Sequence, residues 1–175
     1  MGKAPHAFFN RHVVEVAQDL LGATLIFKEH QAIITETEAY RGTDDAASHA
    51  FKGPTPRSQV MFGAPGMSYV YFIYGMYHCL NIVTEPEGHP SAVLIRGVTL
   101  LNTTPLPLNG PGKLCREMGI NLEDNQVNLL TSPHFYIETR SPEKRLGAQK
   151  ITATPRIGIK KDIHKLWRFV LEEIQ

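Results

Sequence analysis

Cysteine is scarce in this sequence, with Cys79 and Cys115 the only two in 175 residues. Two thiols cannot build a disulfide scaffold or a four-cysteine zinc site, and their scarcity points to a reducing compartment. Long apolar runs are missing as well, and none reaches the roughly 20 residues that cross a bilayer. The opening, MGKAPHAFFNRHVV, has no apolar core of a secretory signal. His6 breaks the acylation pattern that Gly2 begins. The eight histidines are scattered, and neither HExxH nor CxxC occurs. No metal and no cofactor is therefore expected. A large charge excess is lacking too, the net charge being +1. What remains is a single domain over residues 1–175, long enough to hold a core. The expected setting is intracellular: cytoplasm or nucleoid in a bacterium, nucleus in a eukaryote.

The charge that is present is unevenly placed. Residues 138–168 carry nine cations against three anions, and the rest of the chain balances to −5. Such a stretch is either a solvated surface or a flank that faces phosphates. Asn10 is placed to cap a helix through HVVEVAQDLL that stops at Gly22. Val13, Val16, Ala17, Leu20 and Leu21 give it one apolar face. ATLIFK and AIITETEAY read as strands joined at Glu29-His30. Residues 41–67 form a long Gly- and Pro-rich loop, of the kind that is usually functional or disordered. Thr43 is placed to cap a helical turn through DDAASH. Residues 68–74 alternate as a strand, Gly75 breaks it and HCLNIV returns, which puts YGMY at a hairpin tip. SAVLIRGV reads as a central strand, TTPLPLNGPG as a loop and GKLCREMGI as a short helix. HFYIET and ITATPRIGI read as two more strands. KKDIHKLWRFVLEEI suits helix or extended chain equally. Strands outnumber helices and follow one another. The expected fold is α+β: one compact domain with a mainly antiparallel curved sheet, short helices and a protruding hairpin.

Two stretches stand out chemically. In TETEAYRGTDDAASHA, alternation puts Glu36 and Glu38 on one strand face and Thr35 and Thr37 on the other, with Tyr40 two residues on. Asp44, Asp45 and His49 follow. An exposed strand face ending in a turn accounts for the pattern. So does a catalytic carboxylate at a strand end, tuned by apolar neighbours to act as general base toward water. A metal site from Glu38, Asp45 and His49 matches no ligand spacing. The second stretch, YVYFIYGMYHCLNIV, holds four of the six tyrosines. Tyr69, Tyr71 and Ile73 share one face, and Val70, Phe72 and Tyr74 the other. A half-buried strand explains this. So does a division of labour, with Tyr71 as a pocket wall and Tyr74, Met76 and Tyr77 as a wedge into a base stack.

The blocks ETEAYRGTDDAASHAFKGPTPRS and MFGAPGMSYVYFIYGMYHCLNIV are followed in order by AVLIRGV, GPGKLCREMGI and PRIGI. Together they resemble the alkyladenine (3-methyladenine) DNA glycosylase family over most of residues 12–160. The resemblance implies that Glu38 is the general base for the attacking water and that Arg96 helps to hold that water. It implies that Tyr40, His49 and Tyr71 stack the flipped base and that Asn81 rejects the exocyclic amine of guanine. Tyr74 would fill the gap left in the duplex, with Met76 and Tyr77 beside it. A base inside a duplex is out of reach, so flipping is required, and a cage of Tyr40, neutral His49 and Tyr71 would favour a cationic N3- or N7-methylpurine. The implied reaction is monofunctional hydrolysis of the N-glycosidic bond, with deaminated or etheno purines as further substrates and an abasic site as product. The expected partner is duplex DNA with damaged purines, bound by a monomer without membrane or cofactor. Lys52, Arg57, Lys113 and Arg116 are candidate phosphate contacts, with Lys160 and Lys161 behind them. A non-catalytic binder of distorted DNA is the alternative. Such a binder gains nothing from Glu38 and Arg96, because a carboxylate facing polyanionic DNA costs affinity. The end, LWRFVLEEIQ, departs from the glycine-containing terminus common in the family.

Overall fold

The structure is a computed structural model, and it describes residues 2–139 and 150–172. A short strand, β1 (Gly2–Lys3), leads to helices α1 (His6–Phe9) and α2 (Val13–Asp19). Strands β2 (Thr24–Phe27) and β3 (His30–Arg41) follow, and after a long loop β4 (Ser68–Ile73), β5 (Tyr77–Thr84) and β6 (Ser91–Leu100). The order is completed by β7 (Leu106–Asn109), α3 (Pro111–Met118), β8 (Phe135–Thr139), β9 (Lys150–Thr154) and β10 (Arg168–Glu172). The strands pair antiparallel in the order β1-β8-β2-β3-β6-β5-β4, with β7 beside β6, β10 beside β3 and β9 beside β10. This is the expected α+β architecture, a curled antiparallel sheet with few short helices. Among the described residues, no helix is long and apolar enough to cross a membrane.

The helices pack on one sheet face. Val13, Val16 and Ala17 of α2 and Leu114, Cys115 and Met118 of α3 join Val70, Leu80, Ile82, Val93 and Ile95 in the main core. α3 starts with Pro111 in its first turn and ends at Gly119, whose φ of 79° is the left-handed stop that glycine takes without strain. A smaller core, which includes Val60, Met61, Tyr69 and Ala92, lies under the long loop.

Several expectations need correction. Asn10 does not start α2; it closes α1, and the His12 side chain accepts the Val14 N–H at the head of α2. DDAASH forms turns, because the Asp45 carboxylate accepts the N–H groups of Arg41 and Ala47 and so competes with a helix. The supposed loop TTPLPLNGPG contains β7, paired with β6. The β2–β3 turn is Lys28-Glu29, since Phe27 pairs with His30. ITATPRIGI stops being a strand at Thr154, ahead of Pro155. The tail, open between helix and extended chain in the sequence, turns at 160–164 and forms strand as β10, which runs beside β3 and buries Phe169 in the main core. Of the basic stretch, Arg140, Lys144 and Arg145 lie outside the described residues.

One irregularity organises the centre of the sheet. In the β3–β6 ladder, Ile34 pairs with Val98, Glu36 with Gly97 and Thr37 with Ile95. Thr35 on one strand and Arg96 on the other are thus left over. Each surplus residue inverts the alternation of its strand. On β3 the core receives Ala32 and Ile34 before the irregularity but Ala39 after it, beside the buried Thr37. On β6 it receives Val93 and Ile95, then Val98 and Leu100. Unbroken alternation would put Glu38 on the same face as Ile34, inside the core. Gly97 permits the close approach, since a Cβ there would meet Thr35 Oγ1 at 3.0 Å and Glu36 Cβ at 3.1 Å.

Candidate active site

Past the irregularity, the sheet face away from the helices opens into a cleft of about 740 Å³. Glu38 lies at its floor with 0% of its surface exposed. The Tyr40 hydroxyl donates to Oε1 at 2.7 Å, and the Ile157 N–H donates to Oε2 at 2.7 Å. Burial raises the Glu38 pKa above the usual carboxylate range, against the opposing pull of the Ile157 N–H, Arg96, Tyr40 and Arg156. The Tyr40 phenol is pushed up as well, first by burial and then by the neighbouring Glu38 charge, so it stays a hydrogen-bond donor.

Arg96 is the residue left over on β6. Its Nε donates to Glu36 Oε1 at 3.0 Å and lies 3.8 Å from Glu38 Oε2. Glu36 Oε1 also accepts from Arg168 Nε of β10 at 2.6 Å. Two acids and two guanidinium groups therefore meet where β3 passes from β2 to β10 and β6 passes from β5 to β7.

The walls are aromatic. His49 and Tyr71 meet edge to face with centroids 4.8 Å apart, and Tyr69 lies 5.3 Å from Tyr71. Tyr69, to which the sequence assigns no role of its own, has its hydroxyl 3.1 Å from His49 Nδ1 and so fixes the imidazole. Desolvation, and then the Arg57 cation, lower the His49 pKa, which leaves it neutral at neutral pH. Asn81 faces Tyr69 across the β4–β5 ladder, and its Nδ2 donates to the Tyr69 carbonyl at 3.1 Å. Tyr69, Tyr71 and Ile73 all line the cleft while Val70 joins the core, as alternation expects, but Tyr74, expected on the Val70 face, lines the cleft too, because its positive φ of 53° ends the alternation.

The hairpin projects at the cleft mouth. Tyr74 is 86% exposed, Met76 65% and Tyr77 41%. Tyr74 and Gly75 both have positive φ, 53° and 64°, so the turn itself drives the Tyr74 side chain outward. Tyr77 is braced by α3: a Cβ on Gly112 would come within 2.6 Å of its ring. The start of α3, with Lys113, lines the cleft, as do Lys160 and Lys161. Arg57 donates to the Phe72 carbonyl and stands 5.7 Å over the Tyr71 ring, outside the cleft lining. Lys52 and Arg116 are exposed and also outside that lining.

Sequence reasoning missed the segment after β9. Arg156 and Asp45 are both fully buried and form a two-pronged ion pair, with Nη2 to Oδ1 at 2.7 Å. Arg156 also donates to the Ala39 carbonyl and covers the rings of Tyr40 and Trp167. The pair ties the loop that carries His49 to the segment that brings the Ile157 N–H to Glu38. A backbone donor has no side-chain signature, and PRIGI counted only as one block of the family resemblance, with no role for Arg156 or Ile157. With Asp45 taken by Arg156, the trio Glu38, Asp45 and His49 is not assembled. Among the described residues no three His, Cys, Asp or Glu side chains come together as metal ligands.

Residues 7–175 match the family described as Methylpurine-DNA glycosylase (MPG). The chain is similar to three bacterial proteins, each named, provisionally, a 3-methyladenine DNA glycosylase. The Sodalis glossinidius protein is 54% identical over 165 residues, 93% of each chain. The Ehrlichia ruminantium (strain Welgevonden) protein is 49% identical over 170 residues, 96% of this chain and 88% of its own. The Rickettsia felis protein is 48% identical over 171 residues, 97% of this chain and 93% of its own.

Proposed function

Because the chain belongs to the methylpurine-DNA glycosylase family, we propose that it excises alkylated purines from duplex DNA by hydrolysis of the N-glycosidic bond. The observation that carries this reading is the buried carboxylate Glu38, beside Arg96, at the floor of an aromatic cleft whose mouth bears an exposed tyrosine tip. The flipped base lies among Tyr40, His49 and Tyr71. A methylated purine is cationic and is drawn to these π faces, and neutral His49 does not repel it. Asn81 crowds the exocyclic amine that guanine carries. Tyr74 fills the vacated stack, which offsets the few kcal/mol that flipping costs.

In the chemical step, water attacks C1′ of the sugar, the C1′–N bond breaks and its electron pair stays with the departing purine. Glu38 takes the water's proton, and its charge faces the developing oxocarbenium ion. Arg96 orients the water. An abasic site results, and the cationic base leaves without a proton donor. Hypoxanthine and ethenoadenine are proposed as slower substrates. One copy of the chain acts on one duplex inside the cell, with Lys113, Lys160, Lys161 and the start of α3 near the phosphates.

The test is base release from duplexes that each hold one lesion: an N-methylpurine, hypoxanthine or ethenoadenine. Wild type and Glu38→Gln run side by side with chelator present. Release of the N-methylpurine by wild type alone supports the assignment. Tight lesion binding without release by either protein overturns it and leaves a non-catalytic DNA binder.

A further inference from the structure

Glu36 has no part in the reaction as set out above, yet it makes the shortest ion pair at the centre of the site. Its Oε1 accepts from Arg168 Nε at 2.6 Å and from Arg96 Nε at 3.0 Å. Glu38, two residues on, is offered no such contact by Arg96, whose Nε stays 3.8 Å from Oε2. The difference matters because of what else Glu38 holds. Its Oε1 accepts the Tyr40 hydroxyl and its Oε2 the Ile157 N–H. Each carboxylate oxygen has about two acceptor positions. A closed Arg96–Glu38 pair would fill the second position on Oε2 and lower the basicity of the carboxylate at the same time.

We infer that Glu36 is a positioning residue: held by Arg168 of β10, it anchors Arg96 by Nε and keeps that guanidinium from closing on Glu38, so that Oε2 of Glu38 retains its second acceptor position for water. The inference rests on the assignment of Glu38 as general base. The fold makes the arrangement possible. Glu36 pairs with Gly97, so its carboxylate lies next to the surplus residue Arg96, while β10 sets Val170 opposite Glu36 and Arg168 opposite Glu38. The charged and titratable groups around Glu38 are Tyr40 on β3, Tyr71 on β4, Arg96 on β6, Arg156 after β9 and Arg168 on β10. Of these, Arg96 is the cation that Glu36 holds and that lies within 4 Å of Glu38.

Two variants test the inference, Glu36→Gln and the charge-balanced double Glu36→Gln/Arg168→Gln. Glutamate side-chain carboxyls labelled with ¹³C are titrated by NMR in each protein, with Glu38→Gln assigning the resonance. This readout needs no turnover, so it stands apart from whether the chain excises bases. In parallel, single-turnover release of an N7-methylpurine from a duplex is followed against pH. The inference expects the Glu38 titration to move to lower pH in both variants, because Arg96 closes on it. It expects the acid limb of release to move down with it, and the plateau to fall about tenfold, short of the roughly 10²–10⁴ that losing a general base costs. An unmoved Glu38 titration in Glu36→Gln overturns the inference. So does a double variant that restores the wild-type titration, since the effect would then be charge counting and not anchoring. If the double is the better folded of the two, its titration alone decides.

Discussion

At the scale of one residue, a buried carboxyl group is costly to ionise, and Glu38 is such a group. Its folded-state pKa lies above its unfolded value. The stability that this shift contributes is fully present below the unfolded pKa and is lost as pH rises through the folded one. Glu38→Gln keeps the side-chain shape and cannot ionise. Its amide oxygen can accept the Ile157 N–H while its NH₂ donates to the Tyr40 oxygen. The variant is therefore expected to melt above wild type at neutral pH, with the gap closing toward acid. Thermal melts from about pH 4 to pH 8 check this. A variant less stable than wild type at neutral pH would mean that the hydrogen bonds to the carboxylate outweigh its burial. The same Gln is expected to be inactive in base release, so stability and activity move in opposite directions at one atom pair.

At the scale of an element, the β4–β5 hairpin separates its two jobs along its length. Its base is held by Val70, Leu80 and Ile82 in the core, whereas Tyr74 at its tip is 86% exposed. Tyr74→Ala should leave stability within about 0.5 kcal/mol of wild type and weaken lesion-DNA binding by roughly 1–3 kcal/mol, the worth of one stacked base. Unchanged binding with an unchanged melt would remove the wedge role. This element was legible in the sequence because alternation, a glycine and the return strand all lie within about fifteen residues. The segments that complete the site were not. β10 joins β3 against Glu36, Thr37 and Glu38, at least 130 positions away. No local pattern in KKDIHKLWRFVLEEI records that partner. Glu38 was identifiable as a carboxylate near aromatics. Its companions Arg156 and Ile157 were not, because one acts through a buried pair with Asp45 and the other through its backbone.

At the scale of the whole molecule, a net charge of +1 does not announce a nucleic-acid binder. The cations count by place: Lys113, Lys160 and Lys161 all line the rims of the cleft. Neutralising about three to five phosphates predicts that log K falls against log salt with a slope of about −2.7 to −4.5. Fluorescence anisotropy on an abasic-site duplex over a salt series measures it. A flat response would show that the rims do not meet the backbone. The surplus residues Thr35 and Arg96 carry a different kind of consequence, one of arithmetic. Ile34 and Thr37 both face the core although they stand three positions apart, an odd step that plain alternation forbids. Removing one residue between them would leave a step of two, and adding one a step of four, and either would keep Glu38 on the cleft side with no surplus residue in β3. A change of length by two would demand the irregularity again. Among descendants of this chain, the bulge on β3 should therefore come and go with the parity of this stretch, while the side that Glu38 faces stays the same.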